Sequence, residues 1–393
     1  MDALLNGIKV LDFSQAGVGP LTGAVLADYG ADVISVEPPG GGSQRTLAQK
    51  SVRANYLRNK RSIEINLKAT ESEAVVEQLV DAADVLIHNY PPETATKLGC
   101  DYETLRAMNE QLIYCSVTGY GEDGPYSDRL CLDPHAQAMS GLMWNTGEPD
   151  RKPSRVGASI ISYATAQSAA FGIVSALLNR GTSGEGQKVE VSLFDTAGAA
   201  MGYWYTYHSL YDEIPNRQGH SWEGYSPAGV IETADEPVYL AVPFQGIWKR
   251  FCEVIERPDW IDDPRFATDE DRLANREELL SAIEEEFSAH TRDELLETLV
   301  EANVPVSEVQ TIAEAATDSH LDFREAVTDI EDVDGTTVRG MGTAISFSRT
   351  PGGIKSGPPR AGEHTTEVLS EVGFDAERIE QLRGADVVAS SGD

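Results

Sequence analysis

Gly17, Val18 and Gly19, with Gly23 close behind, stand between an apolar run, Gly7 to Phe13, and a helix-like stretch around Pro20. Glycines so placed let backbone N–H groups approach a phosphate at a helix N-terminus. The spacing misses the dinucleotide fingerprint G-x-G-x-x-G, because the third glycine comes one residue late and Pro20 occupies the turn. Glu37 lies at about the ribose-binding distance, so nicotinamide binding stands as the lesser alternative. The cysteines Cys100, Cys115, Cys131 and Cys252 show no CxxC or ligand spacing and read as structural thiols in a reducing compartment. The expectation is no metal, no flavin and no nicotinamide.

Charge narrows the partners. The chain of 393 residues carries 64 Asp and Glu against 31 Lys and Arg, a formal net charge of −33, and only nine of the cations are lysine. Acid spread along the whole length, with lysine scarce, suits molar salt, where the Debye length shrinks to roughly 3 Å and self-repulsion is tolerated. The plainer alternative is an acidic protein of ordinary habitat. No basic stripe exists to neutralise phosphates, so nucleic acid is not an expected partner. No run of 18 apolar residues and no secretory pattern occur, which points away from a membrane and toward the cytoplasm.

The elements that must position the glycine loop alternate. Gly7 to Phe13 reads as a strand, Pro20 to Gly30 as a helix with proline in its first turn and glycine at its end, and Ala31 to Glu37 as a second strand. Ser62 to Leu67, Asp84 to Asn89, Leu112 to Val117 and Lys188 to Leu193 read as further strands. Thr70 and Glu73 suggest a capping box for a helix reaching Ala83. A long helix is expected from Ser159 to Arg180, stopped by Gly181, and another from Asp195 to Tyr211. This order predicts an α/β fold with a Rossmann-like parallel sheet. Composition shifts near Pro215 to Pro227, which places a linker and a smaller α+β domain over 215–327. Residues 1–214 and 328–393 are assigned to the large domain.

Several strings, in order, carry a resemblance to a known family. They are DFSQAGVGP (Asp12–Pro20), ADVISVEPPG (Ala31–Gly40) with Arg45, NKRSI (Asn59–Ile63), ADVLIHNYPP (Ala83–Pro92) and KLG (Lys97–Gly99). Then come LIYCS (Leu112–Ser116), GYG (Gly119–Gly121), GPY (Gly124–Tyr126), AQAMSG (Ala136–Gly141), Thr146-Gly147, the glycines 181, 184 and 186, and PPRAGEHT (Pro358–Thr365). The chain resembles the family III CoA-transferases, the group of formyl-CoA transferase and carnitine CoA-transferase. The resemblance implies a large domain built from both chain ends, a small domain from the middle, and an interlocked homodimer.

It also implies a site. Coenzyme A, as substrate thioester, is expected against Gly17, Val18, Arg45, Ile65, Asn66, Leu67, Lys68, Asn89, Tyr90, Pro91 and Lys97, with Gln15 beside the reacting atoms. Arg45, Lys60, Arg61, Lys68 and Lys97 are conspicuous cations in so lysine-poor a chain and suit the phosphates of CoA. For each alone a surface ion pair is an equal reading. His88 reads as a strand-end histidine rather than a catalyst. In this family an aspartate attacks the acyl-CoA carbonyl, giving an acyl-aspartyl anhydride and then an aspartyl-CoA thioester. The matching segment is VGASIISYATA, Val156 to Ala166, overlapping the stretch Gly157 to Gly172 where the chemistry is expected, and the nucleophile position holds Ser162.

Serine cannot form that anhydride, and no His or Asp lies near it in sequence to activate its hydroxyl. Three readings follow: a residue changed to arrest the enzyme, a divergent transferase whose acid comes from Asp133 or Glu37, or a CoA-binding protein without transfer. A helix N-cap serine is compatible with each. A racemase of the α-methylacyl-CoA type needs an acid/base pair, and its positions fall on Leu132 and Ser162, neither of which titrates. The stretch His220 to Tyr225 (HSWEGY) reads either as a loop closing over the acyl group or as a linker. Succinyl-CoA with a small dicarboxylate is the substrate pair expected by analogy alone.

Overall fold

The protein is described by a computed structural model over residues 3–46, 50–222 and 224–390; Glu223 of HSWEGY lies outside the described residues. Six strands run parallel: β1 (Lys9–Asp12), β2 (Asp32–Glu37), β3 (Arg61–Ile65), β4 (Val85–His88), β5 (Ile113–Thr118) and β6 (Gln187–Ser192). Their order across the sheet is β3-β2-β1-β4-β5-β6, and the short strand Val388–Ala389 adds antiparallel to the β3 edge. Val10 pairs with Val33 on one side and with Val85 on the other. The strands are Val- and Ile-rich because both faces are covered. One face packs Val10, Val33, Ile87 and Cys115 against the helices Val18–Asp28 and Ile160–Ser183. The other packs Leu11, Ile34, Ile63 and Tyr114 with residues of the helices Ser72–Asp81, Thr365–Glu371 and Ala376–Gly384.

The helix Ile160–Ser183 is long and apolar enough, by length and composition, to cross a membrane. Its Ile161, Ala166, Ala169 and Ile173 are instead buried in the core of the sheet.

Three local expectations are corrected. The helix after β3 begins at Ser72 with Glu71 at its cap and no side-chain capping bond, so Thr70 and Glu73 form no box there. Ser72 Oγ turns back to the Ala69 carbonyl instead, at 2.7 Å. The long helix runs past Gly181 to Ser183 and stops at Gly184, which takes the left-handed conformation, φ 74°. The expected helix from Asp195 to Tyr211 is two, Leu193–Ala200 and Gly202–Tyr211, interrupted at Met201 between two glycines that weaken helix continuity.

The chain divides into two compact units: Met1–Leu142, Val156–Thr206 and Asp318–Asp393 make one, Met143–Arg155 and Tyr207–Thr317 the other. The dividing points are therefore 207 and 318 rather than 215 and 328, with the added segment Met143–Arg155. The second unit holds a three-stranded antiparallel sheet, Ala228–Ile231, Val238–Ala241 and Val306–Glu308, over a core of Trp248, Phe251, Trp260 and Phe287. Arg272 is fully buried there, donating to the carbonyls of Ser226 and Phe266, both at 2.9 Å, and lying over the Trp248 ring.

Candidate active site

In an open parallel sheet, ligands bind beyond the carboxyl ends of the strands, where the strand order reverses. Here that point lies between β1 and β4, and a cavity of about 410 Å³ opens there. Ala16, Gly17 and Val18 come to it from β1, Asn89 to Pro92 from β4, Val117 to Gly119 from β5, and Leu193 from just after β6. The segment Ser127–Asp133 and Ser162 complete the lining.

The glycines of the first loop have separate jobs. Gly17 sits at φ 71°, which a side chain rarely adopts, and starts the helix Val18–Asp28. Gly23 lets that helix approach a buried ion pair: a Cβ there would lie 2.8 Å from Asp12 Oδ2 and 2.9 Å from Lys60 Nζ. Close packing, not a dinucleotide, accounts for the late glycine. Glu37, the acid a ribose would need, is fully used: Arg45 holds both its oxygens, at 2.5 and 2.7 Å, Ser62 Oγ donates to it at 2.8 Å and Gly42 N at 3.0 Å.

Asn89 ties the two strand ends together. Its Oδ1 accepts from Gln15 N at 3.0 Å and its Nδ2 donates to the Ala16 carbonyl at 2.7 Å. Gln15 is turned into this scaffold, its Nε2 donating to Phe13 O and Tyr90 Oη, at 3.2 and 3.1 Å. Burial pushes the Tyr90 phenol above its ordinary pKa. His88 is buried, its Nδ1 accepting from Tyr90 N at 3.2 Å. Burial lowers its pKa to about 4, so it is neutral at pH 7 and its 3.9 Å approach to Glu122 is no ion pair.

Asp133 opens a short helix, Asp133–Met139, and is only 6% exposed. Its Oδ2 accepts from the backbone N–H of Ser162 at 2.6 Å, and its Oδ1 accepts from Gln137 Nε2 at 2.6 Å. Gln137 Oε1 in turn accepts from Val156 N at 2.9 Å. Ser162 is the third residue of the helix Ile160–Ser183; Ser159 is the cap and makes no side-chain capping bond. Asp133, from another element, supplies the anion that the positive helix end favours. The Ser162 hydroxyl has no hydrogen-bond partner among the described residues, and no histidine lines the cavity there. Among the described residues no group is placed to activate it as a nucleophile.

Of the residues expected at the site, Gly17, Val18, Asn89, Tyr90, Pro91, Asp133 and Ser162 are brought together, as is Leu132. Gln15, Arg45, Ile65, Asn66, Leu67, Lys68 and Lys97 do not line the cavity. Ile65 is buried at the end of β3, and Asn66 Nδ2 donates to the Asp386 carbonyl at 3.3 Å, with Leu67 packed on the core beside it. Lys68 is exposed, and Lys97 pairs with Glu93 at 3.4 Å one helical turn away. Arg45, Lys60 and Arg61 are spent in ion pairs: Arg45 on Glu37, Lys60 on Asp12 at 2.7 Å, and Arg61 on Asp32 and Glu371 at 2.6 and 2.8 Å. The cation that does line the cavity was not singled out: Arg129, 4.0 Å over the Tyr126 ring, with no carboxylate within 4 Å among the described residues. As one of many arginines it carries no compositional signal.

Comparison with known proteins agrees with this geometry. The family model described as CoA-transferase family III matches residues 5–365. Succinate–glutarate CoA-transferase of Agrobacterium fabrum is 36% identical, over 94% of this chain and 95% of its own. Succinyl-CoA:mesaconate CoA-transferase of Haloarcula marismortui is 34% identical, over 94% and 97%. The crystal structure of a CAIB/BAIF family protein from Brucella suis superposes with a TM-score of 0.87 at 32% identity, covering 95% of this chain and all of that one. A parallel sheet with its cleft at the β1–β4 reversal, and a match running almost end to end, place this chain in CoA-transferase family III.

Proposed function

We propose that this protein moves CoA between an acyl-CoA and a dicarboxylic acid in the cavity over β1 and β4, with succinyl-CoA as donor. The observation that carries the reading is the buried carboxylate of Asp133, held at a helix N-terminus inside a cleft that also presents the Gly17 loop and Arg129. A carboxylate there suits acyl exchange between acids, and backbone N–H groups suit the oxyanions that form. Arg129 supplies the unspent positive charge for a phosphate or for the second carboxylate of the acid. The relatives named above act on succinyl, glutarate or mesaconate groups by their names, which supports a short dicarboxylate.

The same proposal takes in a homodimer in the cytoplasm of a salt-adapted cell. Phe171 and Leu178 stand 77% and 78% exposed on the helix Ile160–Ser183, with Val174 between them, a stripe that a second copy would cover. The acid-rich composition supports the habitat.

The test is incubation of the chain, in molar potassium chloride, with succinyl-CoA and a panel of dicarboxylic acids, read by mass spectrometry of the thioesters. A new acyl-CoA in step with released succinate is the expected result; no new thioester with any acid contradicts it. Ser162 itself favours a second reading, CoA-thioester binding without transfer, which predicts saturable binding of succinyl-CoA in that same experiment and no product.

A further inference from the structure

The transfer chemistry needs a carboxylate that touches the thioester, and position 162 does not supply one. Two acids line the cavity, Asp128 and Asp133. Asp128 is exposed on a loop, whereas Asp133 is fixed from both sides. We propose that Asp133 is the nucleophile of this enzyme and that the backbone N–H of Ser162 is its oxyanion donor; this rests on the transferase reading above.

The geometry assigns the two oxygens different parts. Oδ1 is held by a side-chain amide, Gln137 Nε2, a neutral donor, so attack through Oδ1 costs one hydrogen bond; Oδ2 is held by a backbone N–H in the first turn of a long helix. Oδ1 attacks the acyl carbonyl, the carbon–sulfur bond breaks, and CoA leaves as thiolate from an acyl-aspartyl anhydride. The thiolate then attacks Asp133 Cγ. Oδ2, now the carbonyl oxygen of that carbon, takes the negative charge while still bonded to Ser162 N–H. The anhydride bond breaks, the donor acid departs as carboxylate, and Asp133 carries CoA as a thioester. The acceptor acid runs the same two steps in reverse, restoring the free carboxylate, with no proton, electron or atom left over.

The side chain at 162 fits this assignment. A carboxylate there would stand next to Asp133, which is itself only 6% exposed, and two like charges so close cannot both stay ionised. Serine keeps the N–H and adds no charge.

The experiment uses the full chain, succinyl-CoA and the dicarboxylate panel. Borohydride added during turnover reduces an aspartyl-CoA thioester to an alcohol, which peptide mass mapping locates. Reduction at Asp133, with transfer lost about 10⁴-fold in Asp133→Asn, is the expected result. Asparagine still accepts from Ser162 N–H, and its melting temperature reports whether the fold survives; if it does not, the trapping in the natural chain decides alone. Transfer by the natural chain with the reduced residue elsewhere, or with Asp133→Asn within tenfold of it, overturns the assignment and leaves the transferase reading standing. No transfer at all by the natural chain overturns both.

Discussion

Lys60 Nζ lies 2.7 Å from Asp12 Oδ2, with both side chains 0% exposed, directly under the helix that carries the glycine loop. Lys60 also donates to the Pro20 carbonyl at 2.6 Å, in the first turn of that helix, and Asp12 Oδ1 accepts from Ser14 N at 3.0 Å. The pair therefore fixes the end of β1 to the loop lining the cavity. Lys60→Met leaves the Asp12 charge buried and unpaired. It should cost about 3–5 kcal/mol of stability, read by denaturant unfolding in molar salt, and the double variant Lys60→Met, Asp12→Leu should recover part of that loss.

Gly23→Ala tests the same contact from the other side. Alanine is the better helix former, so propensity alone predicts a gain of about 0.5–1 kcal/mol. The added Cβ would stand 2.8 Å from Asp12 Oδ2 and 2.9 Å from Lys60 Nζ. Displacing a fully buried pair should outweigh that gain, leaving a net loss of about 1–3 kcal/mol in the same unfolding measurement.

The elements of the fold and the residues of the site are unequally legible in the sequence. The βαβ alternation could be read because buried parallel strands such as Ala31 to Glu37 are short, Val- and Ile-bearing segments set off by glycine. The cations could not be sorted, because what decides their role is a partner far along the chain. Lys60 finds Asp12, 48 residues away, and Arg53 finds Asp332, 279 residues away. Sequence offered Arg45, Lys60 and Arg61 for phosphates, and folding spends each on a carboxylate. The 2.6 Å bond from Ser162 N–H to Asp133 was equally out of reach, since nothing in either segment encodes the other.

Acid should weaken the fold through His88. Its folded pKa is about 4, held down by burial, while the unfolded side chain titrates near 6.5. Between those values the unfolded chain binds the proton and the folded one does not, so stability rises with pH through that window and falls on acidification. The span corresponds to roughly 3 kcal/mol. Unfolding free energy measured from pH 7 to pH 4 should show the slope, and His88→Gln should flatten it.

Arg129→Ala should raise KM for succinyl-CoA by about 10- to 100-fold, the worth of a charge-assisted hydrogen bond or two, with kcat nearly unchanged. Steady-state kinetics at two salt concentrations check it: the salt sensitivity of KM should shrink in the variant. An unchanged KM would remove Arg129 from the binding site.

Ser162→Asp in the Asp133→Asn background moves the carboxylate from position 133 to position 162. The cavity lining keeps its number of carboxylates, Asp128 and the one moved to the helix, and the like-charge conflict between 133 and 162 is absent. Transfer should return at least tenfold above Asp133→Asn alone, measured as new acyl-CoA per hour.

Isotope flow tests the central claim most directly. Acceptor acid labelled with ¹⁸O in its carboxylates is supplied with unlabelled succinyl-CoA, and both protein and released succinate are examined by mass spectrometry. Transfer through an enzyme carboxylate predicts ¹⁸O first in the peptide containing Asp133 and then in the succinate set free in the next cycle. New acyl-CoA formed while the protein and succinate stay unlabelled would contradict it.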